Sequence, residues 1–125
     1  MASIKVLIHG VLGKMGMEVL SAICREPGLE PVCGVDKGAT ESYIQMPNDS
    51  GRLPVSHDLE NLLITYKPQV MVDFTNAEAS IAACKLAAKN GTNFVVGTTG
   101  LTEDNISELD KLANEHGIGA FVAPN

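Results

Sequence analysis

The chain has 125 residues, 45% of them hydrophobic and 19% charged, which is the composition of an ordinary globular protein of one domain. Its net charge of −6 offers no basic stripe to neutralise phosphates, so nucleic acid is not expected as a partner. No apolar run reaches membrane-spanning length and no charged-then-apolar leader opens the chain, so the expectation is a cytoplasmic protein without a membrane partner.

Residues 4–9 form a short apolar, β-prone run of the kind that makes an interior parallel strand. Gly10, Gly13 and Gly16 follow, and apolar residues at Met15, Val19, Leu20, Ile23 and Cys24 predict a helix over 15–26. Strand, glycine turn and helix start together make a cradle in which unpaired N–H groups favour an anion. The spacing is G-x-x-G-x-x-G: Val11 stands where the standard dinucleotide fingerprint has its first glycine. A strand-to-helix turn without a ligand would use the same glycines.

Residues 31–35 read as the next strand, with Asp36 and Lys37 directly after it. Asp36 lies twenty positions beyond Gly16, where a dinucleotide-binding unit places an acid on the adenosine ribose, although a strand-end turn could also carry an acid there. Residues 39–56 are polar and rich in turn formers, and read as a long excursion ending in a short extended piece near Val55. A short helix capped by Asp58 follows over 58–66. Residues 70–75 form the third strand, and an alanine-rich helix runs from Asn76 to about Asn90 with Gly91 as its cap. Residues 93–97 form the fourth strand, Thr102 opens a last helix ended by Gly117, and residues 119–122 form the fifth strand.

Strands alternating with helices predict an α/β fold, a Rossmann-type doubly wound parallel sheet of about five to six strands in a single domain. Ligands of such sheets lie across the carboxyl ends of the strands, where this chain is glycine-rich or polar. The cysteines, Cys24, Cys33 and Cys84, are odd in number and form no C-x-x-C pair, and the three histidines, His9, His57 and His116, show no ligand spacing, so no metal site is expected. Reduced core thiols are expected instead.

Gly13-Lys14-Met15-Gly16, Asp73-Phe74-Thr75, Gly97-Thr98-Thr99-Gly100 and the closing Ala123-Pro124-Asn125, in this order at strand ends, closely resemble the dihydrodipicolinate reductase family. The resemblance spans the chain. Members often carry arginine at Lys14 and a small residue at Val11. The family reduces a cyclic intermediate of diaminopimelate and lysine biosynthesis with NADH or NADPH, and the likeness lies in its nucleotide-binding N-terminal domain. The resemblance therefore implies that Gly10, Val11, Leu12, Gly13, Lys14 and Met15 hold the pyrophosphate, and that Asp36 and Lys37 meet the adenosine ribose. Phe74 and Thr75 join the cofactor site, and Gly97, Thr98, Thr99, Ala123, Pro124 and Asn125 flank the nicotinamide. Lys14 is read either as a phosphate contact or as a solvated helix-start lysine.

The Asp36 carboxylate would accept from both ribose hydroxyls and repel a 2′-phosphate, whereas Lys37 would offset that charge; NADH is favoured, with some NADPH binding. The family's substrate domain, with its histidine and lysine motif, follows the point where this sequence stops. None of His9, His57 or His116 matches that motif, so no catalytic residue is assigned. His9 is read as a strand-end residue beside the glycine loop, and His57 and His116 as surface residues.

The expectation is a nucleotide-binding domain over 1–125, an N-terminal fragment that binds cofactor without turnover. The full-length enzyme would be a homo-oligomer through the absent C-terminal domain, and a bare apolar patch on this chain would promote self-association. A free-standing nucleotide-sensing module and a CoA-binding or aspartate-family dehydrogenase-type domain share the glycine loop and stand as alternatives.

Overall fold

A computed structural model describes residues 3–123. Its elements run β1 (Ile4–His9), α1 (Lys14–Cys24), β2 (Leu29–Val35), β3 (Tyr43–Gln45), a 3₁₀ turn (Pro47–Asp49), β4 (Arg52–Ser56), α2 (Leu59–Tyr66), β5 (Val70–Asp73), α3 (Ala77–Lys89), β6 (Asn93–Val96), α4 (Glu103–His116) and β7 (Ala120–Val122). They form a seven-stranded sheet in the order β3-β4-β2-β1-β5-β6-β7. Every pairing is parallel except β3 with β4. From β1 the chain builds outward through β2 and β4, then returns to build outward through β5, β6 and β7 on the other side. The order of construction reverses between β1 and β5, and ligands of open α/β sheets gather at such a switch point.

The period-2 alternation of the strands divides the core between the two sheet faces. Leu7, Cys33, Val35, Met71, Phe94 and Val96 join Leu62, Leu63, Cys84, Ala87 and Leu109 from α2, α3 and α4. Val6, Ile8, Leu53 and Val55 face the other way and pack with Leu20 and Ile23 of α1. Burying one such large apolar side chain contributes about 1.5–3 kcal/mol relative to leaving it exposed. Only α1 covers this second face among the described elements, leaving an apolar groove beside it along Val70, Val72 and Val95.

Helix starts follow the sequence closely. Asp58 accepts from the Asn61 N–H, Asn76 from the Ala79 N–H, and Thr102 forms a reciprocal capping box with Asn105. Gly117 closes α4 in the left-handed region, while α3 is capped by Asn90, with Gly91 one place beyond. The main departure lies in residues 39–56, which fold into the antiparallel β3–β4 pair rather than an excursion with a single extended piece. Leu53 and Val55 are buried beneath α1, and the Arg52 guanidinium stacks 4.2 Å from the Tyr43 ring centroid. Pairing and burial hold this segment in strands despite Pro47, Gly51 and Pro54.

Candidate functional site

The site begins where β1 runs out. Gly10 has φ +85°, a left-handed turn that costs glycine nothing, and the N–H groups of Gly10 and Val11 both donate to the Val35 carbonyl at 2.7 and 3.2 Å. The loop thus hangs from the end of β2 before turning into α1. Gly13 is the N-cap of α1 and supplies no side-chain hydrogen bond, whereas Asp58, Asn76 and Thr102 each cap their own helix. A Cβ on Gly16 would be driven into the Gly10 carbonyl, so glycine there lets the helix lie against the loop. Backbone N–H groups without a side-chain cap, at a helix start approached by Cβ-free residues, fit a pyrophosphate.

Asp36 closes one end of this cradle. Its Oδ2 accepts from the Leu12 N–H and its Oδ1 from the Gly38 N–H, both at 2.9 Å. A carboxylate oxygen accepts more than one hydrogen bond, so capacity remains for ribose hydroxyls.

The opposite wall descends from β5. Phe74 N–H donates to the His9 carbonyl at 3.1 Å, and the Phe74 ring packs so closely over Gly97 that any side chain there would collide with it. Below lies a buried polar chain. Ser80 Oγ donates to Thr98 Oγ1 at 2.7 Å, Thr98 Oγ1 accepts the Thr75 N–H at 3.0 Å, and Thr75 Oγ1 donates to Asp73 Oδ1 at 2.8 Å. Asp73 and Ser80 are fully buried, and His9 Nδ1 sits 3.0 Å from Asp73 Oδ1.

Between the walls lies a cleft of about 230 Å³ at the β1/β5 switch point. Of the residues expected to bind cofactor, Gly10, Gly13, Asp36, Lys37, Phe74 and Thr75 line it together. Leu12 in the loop and Lys14 and Met15 at the start of α1 are exposed and do not line it, and Val11 is fully buried. Gly97, buried Thr98 and exposed Thr99 follow β6, with Ala123 beside them through its N–H to the Val96 carbonyl at 2.8 Å. Pro124 and Asn125 lie outside the described residues. His9, Asn76 and Ala79 also line the cleft but were not among the expected cofactor residues. Asn76 carries a local signal as a polar residue at a strand end, whereas the partnership of His9 with Asp73 becomes visible only once β1 and β5 are paired. His57 and His116 are exposed and away from the cleft.

The glycine loop, the strand-end acid and the cleft at the switch point define a Rossmann-type nucleotide-binding domain. Residues 4–125 match the family described as "Dihydrodipicolinate reductase, N-terminus", and the chain belongs to that family. It is 47% identical to the 4-hydroxy-tetrahydrodipicolinate reductase of Dehalococcoides mccartyi over 125 residues, covering 100% of this chain and 48% of that protein. A solved structure of dipicolinate-bound dihydrodipicolinate reductase from Paenisporosarcina sp. TG-14 superposes with a TM-score of 0.82 at 32% identity, covering 98% of this chain and 48% of the other. Homoserine dehydrogenase from S. aureus shares the fold alone, with a TM-score of 0.79 at 18% identity over 99% of this chain and 34% of that one. The chain therefore spans about half the length of the relatives it matches.

Proposed function

We propose that residues 1–125 are the NAD(P)H-binding half of a reductase acting on a dihydrodipicolinate-type intermediate, and that the chain alone binds the cofactor without turning substrate over. The observation that carries this reading is the cleft at the β1/β5 switch point, where the glycine loop and Asp36 meet in one hydrogen-bonded unit. The reduced nicotinamide would supply the hydride, and this chain's residues would hold and orient it. Gly10, Val11, Leu12 and Gly13 of the loop, with Lys14 and Met15 in the first turn of α1, take the pyrophosphate. Asp36 and Lys37 take the adenosine ribose, and Phe74 and Thr75 form the wall. Gly97, Thr98, Thr99 and Ala123 would flank the nicotinamide, and the family resemblance adds Pro124 and Asn125 to that set. NADH is the favoured form: Asp36 and Lys37 line the cleft, where the carboxylate would accept from both ribose hydroxyls and disfavour a 2′-phosphate while Lys37 moderates the penalty. The membership of the family favours a place in lysine and diaminopimelate biosynthesis in the cytoplasm, with oligomerisation through the other half of the full-length enzyme.

Calorimetric titration of the chain with NADH and NADPH tests this. Saturable binding, tighter for NADH and lost in Gly13→Glu, supports the assignment. Absence of binding at millimolar concentration of either overturns it, and much tighter binding of NADPH overturns the cofactor preference.

A further inference from the structure

Asp73 is a carboxylate with 0% exposure, and burying such a group is costly unless a charge or several donors answer it. Thr75 supplies one hydroxyl to Oδ1, while Oδ2 has no hydrogen-bond partner. The basic group within ion-pair distance is His9, whose Nδ1 lies 3.0 Å from Oδ1, close enough for a charge contact when the ring is protonated though not aligned as a hydrogen bond. Parallel pairing of β1 with β5 puts His9 directly across from Asp73. His9 Nδ1 is sealed from solvent while the side chain keeps 13% exposure, so the accessible part of the residue in the cleft includes the ring edge carrying Nε2.

We propose that His9 is an anion-contact residue of the nucleotide cleft: backed by the buried Asp73 carboxylate, it faces the dinucleotide pyrophosphate and links cofactor binding to proton uptake. The inference rests on the dinucleotide reading above. The charged groups around His9 are Asp73 from β5 and, after β2, Asp36 and Lys37, which line the same cleft and oppose each other in sign. Lys14 at the start of α1 and Glu78 in the first turn of α3 are exposed and do not line it; α3 presents Asn76 and Ala79 there. In a chain of net charge −6, a doubly negative pyrophosphate gains little from the overall field, so local cations decide its affinity. A neutral imidazole turning a lone pair toward the phosphates would repel them, whereas the imidazolium donates a charge-assisted hydrogen bond. The bound state therefore favours the protonated ring over the neutral one, and affinity falls as pH rises.

The test is calorimetric titration of the chain with ADP-ribose, which carries the pyrophosphate, at pH 6 and pH 8. Wild type is expected to bind roughly ten-fold or more tightly at pH 6, the effect of one charge-assisted hydrogen bond. His9→Asn leaves Asp73 buried without its basic partner and lowers the melting temperature, so the double variant His9→Asn/Asp73→Asn is measured beside it. The double variant is expected to bind more weakly at pH 6 and to lose the pH dependence. Equal wild-type affinity at both pH values, or pH dependence retained in a folded double variant, would overturn the role of His9 while leaving the nucleotide site intact. Failure of wild type to bind either ADP-ribose or NADH would overturn the dinucleotide reading itself and this inference with it.

Discussion

The Asp36 carboxylate reaches back across 24 positions to accept the Leu12 N–H of the glycine loop at 2.9 Å. The residue proposed to read the ribose is therefore also a strut of the loop proposed to hold the phosphates. Replacing it frees a loop N–H and, on that proposal, removes an acceptor for the ribose hydroxyls at once. Asp36→Ala is expected to weaken NADH binding by roughly ten- to hundred-fold, the cost of about 1.5–3 kcal/mol for a hydrogen bond to a charged group. NADPH should lose less, since a repulsive charge beside its 2′-phosphate disappears. Titration with both nucleotides checks the ratio, and an equal loss for the two would mean that Asp36 acts on the loop alone.

Two glycines that look alike in the sequence should behave oppositely. A Cβ on Gly16 has nowhere to go but the Gly10 carbonyl, whereas Gly28 has no neighbour within 4 Å of its Cβ position. Gly16→Ala is expected to cost about 1–3 kcal/mol through overpacking. Gly28→Ala should be neutral or stabilise by up to about 1 kcal/mol, by restricting the unfolded chain. Thermal melts of the two variants, with nucleotide titration of Gly16→Ala to detect a displaced loop, decide the matter.

Val11 departs from the glycine fingerprint because its side chain belongs to the core. It is fully buried, and a Cβ on Gly34 of β2 would lie 2.7 Å from Val11 Cγ1, so the glycine in the strand makes room for the valine in the loop. Gly34→Ala is expected to destabilise by about 1–3 kcal/mol. Part of this loss should be recovered in Val11→Ala/Gly34→Ala, which removes the Cγ1 and Cγ2 contacts at 2.7 and 3.0 Å and leaves only the Cβ contact at 2.9 Å. A double-mutant cycle of denaturant midpoints measures the coupling, and strict additivity would mean that the contact is relieved elsewhere.

This pair also shows where sequence reading stops. The alternation of strands and helices was legible because each has its own hydrophobic period, and the glycines, Asp36 and the helix caps were legible because their signals are local. Val11 facing Gly34, and His9 facing Asp73, depend on which strands become neighbours and in what register, and no local pattern carries that. The β3–β4 pair was obscured for a related reason: its prolines and polar residues read as loop, and burial of Leu53 and Val55 under α1 emerges only in the assembled sheet.

The thiols separate by burial. Burial pushes Cys33 from 9.0 up to about 12, and burial followed by the Asp73 charge pushes Cys84 up as well, while Cys24 is half-buried on α1. At pH 8 a thiol-reactive disulfide reagent should label Cys24 in the folded chain and all three cysteines after denaturation. In the unfolded state the Cys33 thiol ionises near its ordinary value, so between about pH 9 and 12 the unfolded chain binds fewer protons and stability falls as pH rises. Below that window the contribution is complete. Urea midpoints should decline from about pH 9 upward, and less steeply in Cys33→Ala; rapid native labelling of Cys33 would contradict the burial argument.

The groove beside α1 carries the last prediction. Val6, Val19, Ile23, Val70, Val72 and Val95 line an open apolar cleft of about 410 Å³ on the sheet face that only α1 covers among the described elements. Apolar surface gathered in one place favours burial against another apolar surface, whereas the same residues scattered singly would not. The chain by itself is therefore expected to bind an apolar reporter dye in its folded state and to self-associate as its concentration rises. Val95→Lys places a charge at the groove while leaving α1 and its core in place, and should weaken both effects. Sedimentation velocity over a concentration series, with dye fluorescence alongside, provides the measurement. A monomer at every concentration without dye binding would show that the groove is too shallow to act as an adhesive face, and unchanged association in the folded Val95→Lys variant would place the contact on another surface.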